Sequence, residues 1–212
     1  MKHPTLHPTL HPGLNLGPHH GEAHEHAETL AFGFWVFLMS DFIIFGLMFA
    51  TYVTMANPMG LAGGPGPNDA YDLTSVFVQT MILLTSSLTF GMASLAMRFE
   101  RGRGPITFWL SVTLLLGLAF LSLEVRDFAH MIEIGAVPSR SGFLSAFWGL
   151  VPLHALHVAA GCLWIMIMLV QVRTFGMVPL VKTRILRLGL FWHFLDLIWI
   201  GIFTIVYLGA LA

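Results

Sequence analysis

The sequence predicts an all-α protein, a bundle of five transmembrane helices. Three observations support this prediction: 56% of the 212 residues are hydrophobic, only 10% are charged, and the mean hydropathy is +0.79. Soluble domains keep about a quarter of their residues charged, so a chain this apolar is expected to be solvated by lipid. The net charge of −1 gives no reason to expect a nucleic-acid partner. The single cysteine, Cys162, cannot form a disulfide framework or a Cys-x-x-Cys metal site within the chain.

Five apolar segments are long enough to cross a bilayer as helices, which takes about 20 residues each. They lie at 30–56, 73–97, 105–125, 142–172 and 187–211. The first two are separated by residues 57–72, a glycine- and proline-rich stretch that cannot continue a helix. Pro105 opens the third segment, where the first turn of a helix tolerates proline.

Lysine and arginine residues are distributed unevenly between the two ends of the predicted spans. One side holds only Arg126 and Arg140, whereas the other holds Lys2, Arg98, Arg101, Arg103, Arg173, Lys182, Arg184 and Arg187. Basic residues concentrate in the cytoplasmic loops of membrane proteins. We therefore expect the N-terminus in the cytoplasm and the C-terminus in the periplasm.

Residues 1–28 are predicted to form a disordered, His- and Pro-rich cytoplasmic tail, followed by a transmembrane domain at 29–212. The tail opens with HPTLHPTLHPGL and holds seven of the eleven histidines. Histidine-rich tracts bind divalent metals, so metal buffering is the alternative role. We favour a solvated leader because nothing downstream is arranged to receive a metal.

Asp41 lies near the middle of the first span and has no basic residue nearby in the sequence. An ionisable group at this depth costs about 2.5–3.5 kcal/mol on insertion scales, so it is expected to have a function or a partner. Such an aspartate should be protonated or hydrogen-bonded to another helix. Two roles fit the residues equally: a proton-exchanging or lipid-contacting acid, and a polar contact between helices.

Polar residues stand one helical turn apart in each of the last two spans. His154 and His157 lie in the fourth span, and His193 and Asp196 in the fifth. The i, i+3 spacing places both members of a pair on one helix face. If the two faces meet, three imidazoles and a carboxylate would resemble a metal or heme site. We favour interhelical polar contacts, because the Glu-x-x-His motif of carboxylate-bridged bundles is absent and Gly161 permits close helix approach.

Two further charged groups are predicted at the membrane interfaces. Where the third span leaves the membrane, Glu124, Arg126, Asp127 and His130 are interpreted as an ion-paired cap. Glu124 is the deepest of the four and is expected to make a polar contact between helices. At the opposite interface, Arg173 is predicted to bind a lipid phosphate, since a guanidinium can hold phosphate through two hydrogen bonds. An arginine that only sets the topology is the alternative.

These motifs resemble subunit III of heme–copper terminal oxidases. HALHVAAG at 154–161 and FWHFLDLIWIGIFTIVYLG at 191–209 are similar to the family's last two helices, and FLSLEVRDF at 120–128 to the helix before them. The five-helix form, the Met-Ser-Asp run that ends at Asp41, and RSGFLSAFW at 140–148 resemble the bacterial cytochrome o ubiquinol oxidase branch. Subunit III of a cytochrome c or menaquinol oxidase is the alternative.

The resemblance implies a non-catalytic subunit of a proton-pumping oxidase that oxidises ubiquinol and reduces oxygen to water. Heme and copper then belong to the partner subunit I, and this chain binds none of them. It is expected to pack against subunit I and other oxidase subunits, hold phospholipids, and support stability and proton uptake in the bacterial inner membrane. Asp41 matches the family's buried acid, and His154, His157, His193 and Asp196 match its polar helix contacts.

Two more distant alternatives follow from the residues themselves. One is a stand-alone intramembrane metal or heme protein built on the polar residues of the last two spans. The other is a proton or small-solute channel built on Asp41.

Overall fold

The computed structural model describes residues 20–63 and 73–209, with side chains described from Thr29 onward. Regular structure in these ranges is helical. The long helices are α1 His20–Met55, α2 Leu73–Arg98, α3 Arg103–Glu133, α4 Gly142–Thr174 and α5 Pro179–Ile202; α5 continues as a π-helical segment, Phe203–Leu208. All five are long and apolar enough to cross a membrane, which confirms the predicted all-α class and number of spans. The orientation of the termini stays a prediction.

Three helix ends differ from the predicted spans by eight residues or more. α1 begins at His20, within the region predicted as the tail; residues 1–19 lie outside the described part, and the division at residue 28 stays a prediction. α3 runs to Glu133 instead of 125, because charged residues beyond the apolar stretch are compatible with helix once they leave the bilayer. α5 begins at Pro179 instead of 187, since proline suits the first turn.

A capped turn breaks the chain after the first span, as predicted, although residues 58–61 of the expected loop are helical and residues 64–72 lie outside the described part. α1 ends at Met55, and the side chain of Asn57 accepts hydrogen bonds from the amides of Met59 and Gly60 at 2.9 and 2.8 Å. Asparagine is a preferred N-cap residue, and here it starts the short helix Pro58–Leu61. The chain therefore leaves α1 and starts a new helix instead of extending the old one.

α4 and α5 form the centre of the bundle. α5 packs against α1, α2 and α4, whereas α4 packs against α1, α3 and α5, and α2 runs along α3. α1 is peripheral, because its main contacts are with α4 and α5 and most of its surface faces outward. The largest fully buried side chains include Trp192 and Trp199 of α5.

The two basic loops predicted to share one side of the membrane lie at the same end of the bundle. Lys182 Nζ pairs with Glu100 Oε1 at 3.4 Å, which joins the start of α5 to the turn between α2 and α3. The guanidinium of Arg103 lies where a Cβ of Gly176 would be, and Gly176 has a φ of +74°. Glycine is therefore required there both by the backbone and by the close approach.

Candidate functional site

Asp41 faces His157 across the α1–α4 interface. Its Oδ2 atom is 3.8 Å from Nε2 of His157 and has no hydrogen-bond partner among the described residues. Only 7% of the Asp41 surface is exposed. The structure thus gives the buried acid of the first span a neighbour that the sequence did not identify.

The helix that carries His157 fixes the tautomer of its ring. Nδ1 lies 2.8 Å from the carbonyl oxygen of Leu153, one turn earlier on α4. A carbonyl oxygen only accepts hydrogen bonds, so Nδ1 carries the hydrogen and Nε2 is left to face Asp41. The Nε2–Oδ2 distance of 3.8 Å must shorten by about 1 Å to form a hydrogen bond.

His154 makes ring contacts inside the core. It is fully buried, and neither ring nitrogen has a hydrogen-bond partner in the described part of the chain. The imidazole stacks on the indole of Trp199, with centroids 5.3 Å apart and planes at 29°, and meets Phe120 edge-on at 6.1 Å. His154 therefore contributes packing area between α3, α4 and α5.

His193 and Asp196 lie where α5 meets α2, away from the histidines of α4. Nδ1 of His193 is 2.7 Å from Oγ of Ser87, and the edge of Phe90 packs near its ring at 5.8 Å. Oδ2 of Asp196 lies 3.8 Å from the same nitrogen. The interhelical partner of His193 is thus α2, whereas the sequence suggested α4.

The four polar residues of the last two spans do not gather into one cluster. His157 faces Asp41 on α1, His154 stacks in the core, and His193 faces Ser87 on α2. Within 29–63 and 73–209, no three His, Cys, Asp or Glu side chains are placed to hold a metal ion. The geometry therefore does not bring together the three imidazoles and carboxylate that a shared metal or heme site would require.

Two tryptophans of α5 connect more helices than the polar pairs do. Nε1 of Trp192 donates to Oγ of Ser86 on α2 at 3.1 Å, and its ring fills the space left by Gly117 of α3 and Gly161 of α4. Nε1 of Trp199 donates to Oγ1 of Thr80 on α2 at 3.0 Å. Sequence analysis missed these contacts. The sequence did contain a signal for them: Trp192 and Trp199 stand seven residues apart on one helix, and glycines that could make room for such rings occur on α3 and α4.

The predicted cap at the end of α3 is a hydrogen-bonded network with α2. Oδ2 of Asp127 accepts from Oγ of Ser75 at 2.7 Å and from Nε2 of Gln79 at 2.8 Å. Arg126 pairs with Asp127 at 3.1 Å and donates to Ser75 Oγ at 2.9 Å. Glu124 lies one turn deeper and is 2% exposed. An open depression of about 480 Å³ beside the network is lined by Arg126, Asp127, Ala129, His130 and Glu133.

Arg173 lies in the last turn of α4 and is exposed. Nearby, Nη1 of Arg184 on α5 donates to Oε1 of Gln171 at 2.8 Å. These cationic side chains stand at the end of the bundle where the two basic turns meet. They offer hydrogen-bond donors to an anion at the membrane surface.

Comparison with known proteins identifies one family. The family model described as Cytochrome c oxidase subunit III matches residues 14–210. A cytochrome bo(3) ubiquinol oxidase subunit 3 from Pseudomonas putida is 46% identical over 185 residues, which cover 87% of this chain and 88% of the relative. A quinol oxidase subunit 3 from Bacillus subtilis is 39% identical, with 84% and 86% covered. A cytochrome c oxidase subunit 3 from Alkalihalophilus pseudofirmus is 41% identical, with 83% and 84% covered.

Proposed function

Since the chain belongs to the cytochrome c oxidase subunit III family and is a subunit III of a heme–copper oxidase, we propose that it serves a ubiquinol-oxidising complex. Two ubiquinol oxidase subunits are 46% identical to it over most of both chains, against 41% for the cytochrome c oxidase relative. This observation carries the proposal. A cytochrome c or menaquinol oxidase is the alternative, because the electron donor binds elsewhere in the complex.

Within that complex the chain acts as a non-catalytic subunit of the bacterial inner membrane. It packs against subunit I, which holds the heme and copper, and ubiquinol is a substrate of the whole assembly. The dispersal of the three histidines supports this assignment, because His154, His157 and His193 each lie at a different helix contact. The basic turns at one end of the bundle support an N-terminus in the cytoplasm.

Purification through this chain in mild detergent tests the proposal. The preparation should contain a heme–copper complex, visible in its absorption spectrum, that consumes oxygen with ubiquinol as electron donor. Oxygen consumption with cytochrome c instead of ubiquinol would favour the alternative branch. A heme spectrum in the isolated chain would favour a stand-alone heme protein.

We expect Asp41→Asn to assemble and turn over almost normally. The amide keeps the shape of the side chain and can donate to Nε2 of His157, which the tautomer leaves bare. Oxygen consumption and proton ejection should be measured together in reconstituted complex, with Asp41→Leu as the variant that removes the polar contact. Strongly reduced proton ejection with an intact heme spectrum in Asp41→Asn would contradict the structural role and assign Asp41 to proton movement.

Arg173→Ala is expected to release one bound phospholipid. The exposed guanidinium stands at the interface, where it can hold a phosphate through two hydrogen bonds. Native mass spectrometry should show the loss, whereas the matched variant Arg101→Ala in the α2–α3 turn should retain the lipid. Equal lipid retention in both variants would leave Arg173 as a topology-setting residue.

A further inference from the structure

A polar side chain faces outward in the middle of the membrane where α2 meets α5. His193 contacts Ser87, which lies near the midpoint of the α2 span Leu73–Arg98 and therefore far from either membrane surface. Its side chain is 48% exposed. Nδ1 contacts Ser87, and no described residue hydrogen-bonds Nε2. Lipid tails offer no hydrogen-bond partner at this depth, so the exposed imidazole has an unmet requirement.

The surface around His193 is shaped for close approach by another helix. Ser87, Gly91 and Ser94 lie on one face of α2 at i, i+4 and i+7, and all three are partly exposed. A Cβ added at Gly91 would meet no atom within 4 Å. Small residues in this pattern let helices pack closely in membranes. We define the His193 surface as Ser87, Gly91, Ser94, Leu190, His193 and Leu197.

Asp196 lies beneath the same surface, on the inner side of the His193 ring. It is 6% exposed, and neither carboxyl oxygen has a hydrogen-bond partner among the described residues. Its Oδ2 atom and Ser87 both lie on the Nδ1 side of the imidazole, at 3.8 and 2.7 Å. The inner side of the ring is thereby occupied, and Nε2 is directed outward.

We propose that the His193 surface docks a transmembrane helix of another oxidase subunit, which places a hydrogen-bonding side chain against Nε2 of His193. This inference rests on the proposed function, because it requires a complex with further membrane subunits. Phospholipid headgroups lie about 15 Å from the bilayer centre and cannot reach a residue at this depth. A polar side chain on a neighbouring helix satisfies Nε2, and the stripe of small residues on α2 gives that helix room.

Photocrosslinking in the intact oxidase tests the docking. A benzophenone amino acid replaces Leu197, which is 57% exposed one turn beyond His193, or Gly91 on α2. We expect an adduct with a transmembrane segment of another subunit that carries a polar residue. If the heme complex copurifies but the adducts form only with lipid, or with a second copy of this chain, the docking proposal is overturned. Failure of the unmodified chain to copurify with heme would instead overturn the proposed function, and this inference with it.

Retention of the partner subunit gives an independent measurement. Loss of one interhelical hydrogen bond in a membrane corresponds to about threefold to eighteenfold weaker association, which is the decrease expected for His193→Leu. His193→Gln keeps a hydrogen-bonding side chain and should restore retention. Gly91→Leu should block the approaching helix with little change in the thermal stability of the isolated chain, because a Cβ at this position meets no atom within 4 Å. Unchanged retention in both His193→Leu and Gly91→Leu would overturn the proposal.

Discussion

Gly117→Leu is expected to prevent α3, α4 and α5 from packing together, with loss of the folded chain. A Cβ at position 117 would lie 2.8 Å from Sγ of Cys162 and 2.8 Å from the ring of Trp192. Trp192 cannot withdraw easily, because Ser86 holds its indole nitrogen and a Cβ at Gly161 would also lie 2.9 Å from its ring. Overpacking a dense core costs about 1–3 kcal/mol for small additions, which we expect for Gly117→Ala, and leucine adds three more carbons.

Thermal unfolding of the detergent-solubilised chain measures this effect. Gly104→Leu is the matched control, since it lies on the same helix and its added Cβ meets nothing within 4 Å. Combining Gly117→Ala with Trp192→Phe should recover part of the lost stability by making the ring smaller. A Gly117→Leu chain that unfolds at the same temperature as Gly104→Leu would show that the three helices can separate at little cost.

Trp199→Ala is expected to destabilise the bundle by about 3–5 kcal/mol, the usual cost of removing a large buried aromatic side chain. The indole is fully buried, stacks on His154 and packs against Phe120 at 4.8 Å. In a membrane the loss comes from the contacts that the cavity removes, because lipid tails solvate apolar surface as well as the protein does. His154 would also lose the flat surface on which its unbonded ring rests.

Two controls separate volume from hydrogen bonding at this position. Trp199→Phe keeps an aromatic ring but removes the hydrogen bond to Thr80, which is worth about 0.6 kcal/mol on average in membrane proteins. Trp35→Ala removes an equally large side chain that is 50% exposed on α1 and should change the unfolding temperature little. If Trp199→Ala were no more damaging than Trp35→Ala, the assignment of α5 as the packing centre would be wrong.

Hydropathy predicted the five spans because each contains more than enough apolar residues to cross a bilayer. It did not predict the end of α3 at Glu133 or the start of α5 at Pro179, because hydropathy marks where the apolar stretch ends and not where hydrogen bonding stops. Hydropathy also could not predict which helices pack against each other. Membrane helices are apolar on both the lipid-facing and the core-facing side, so their sequences lack the polar face that identifies the buried side of a soluble helix.

For the candidate site too, the sequence identified the residues but not their neighbours. The sequence singled out Asp41, His157 and His193 as costly residues at bilayer depth, and the structure gives each a definite neighbour. The sequence could not show that Asp41 faces α4 or that His193 faces α2, because those contacts depend on how the helices are arranged around α5. The roles of these residues in the oxidase stay predictions that the variants above test.

The peripheral position of α1 has a consequence for how the protein is made. α2 and α3 are adjacent in the chain and can pair as soon as both are in the membrane. α1 is synthesised first, yet its main neighbours, α4 and α5, are synthesised last. At about 5–20 residues per second, roughly ten seconds separate the completion of α1 from the appearance of α4. During that interval a nascent chain carries Asp41 in the bilayer without His157, so α1 is the helix most in need of protection by the insertion machinery.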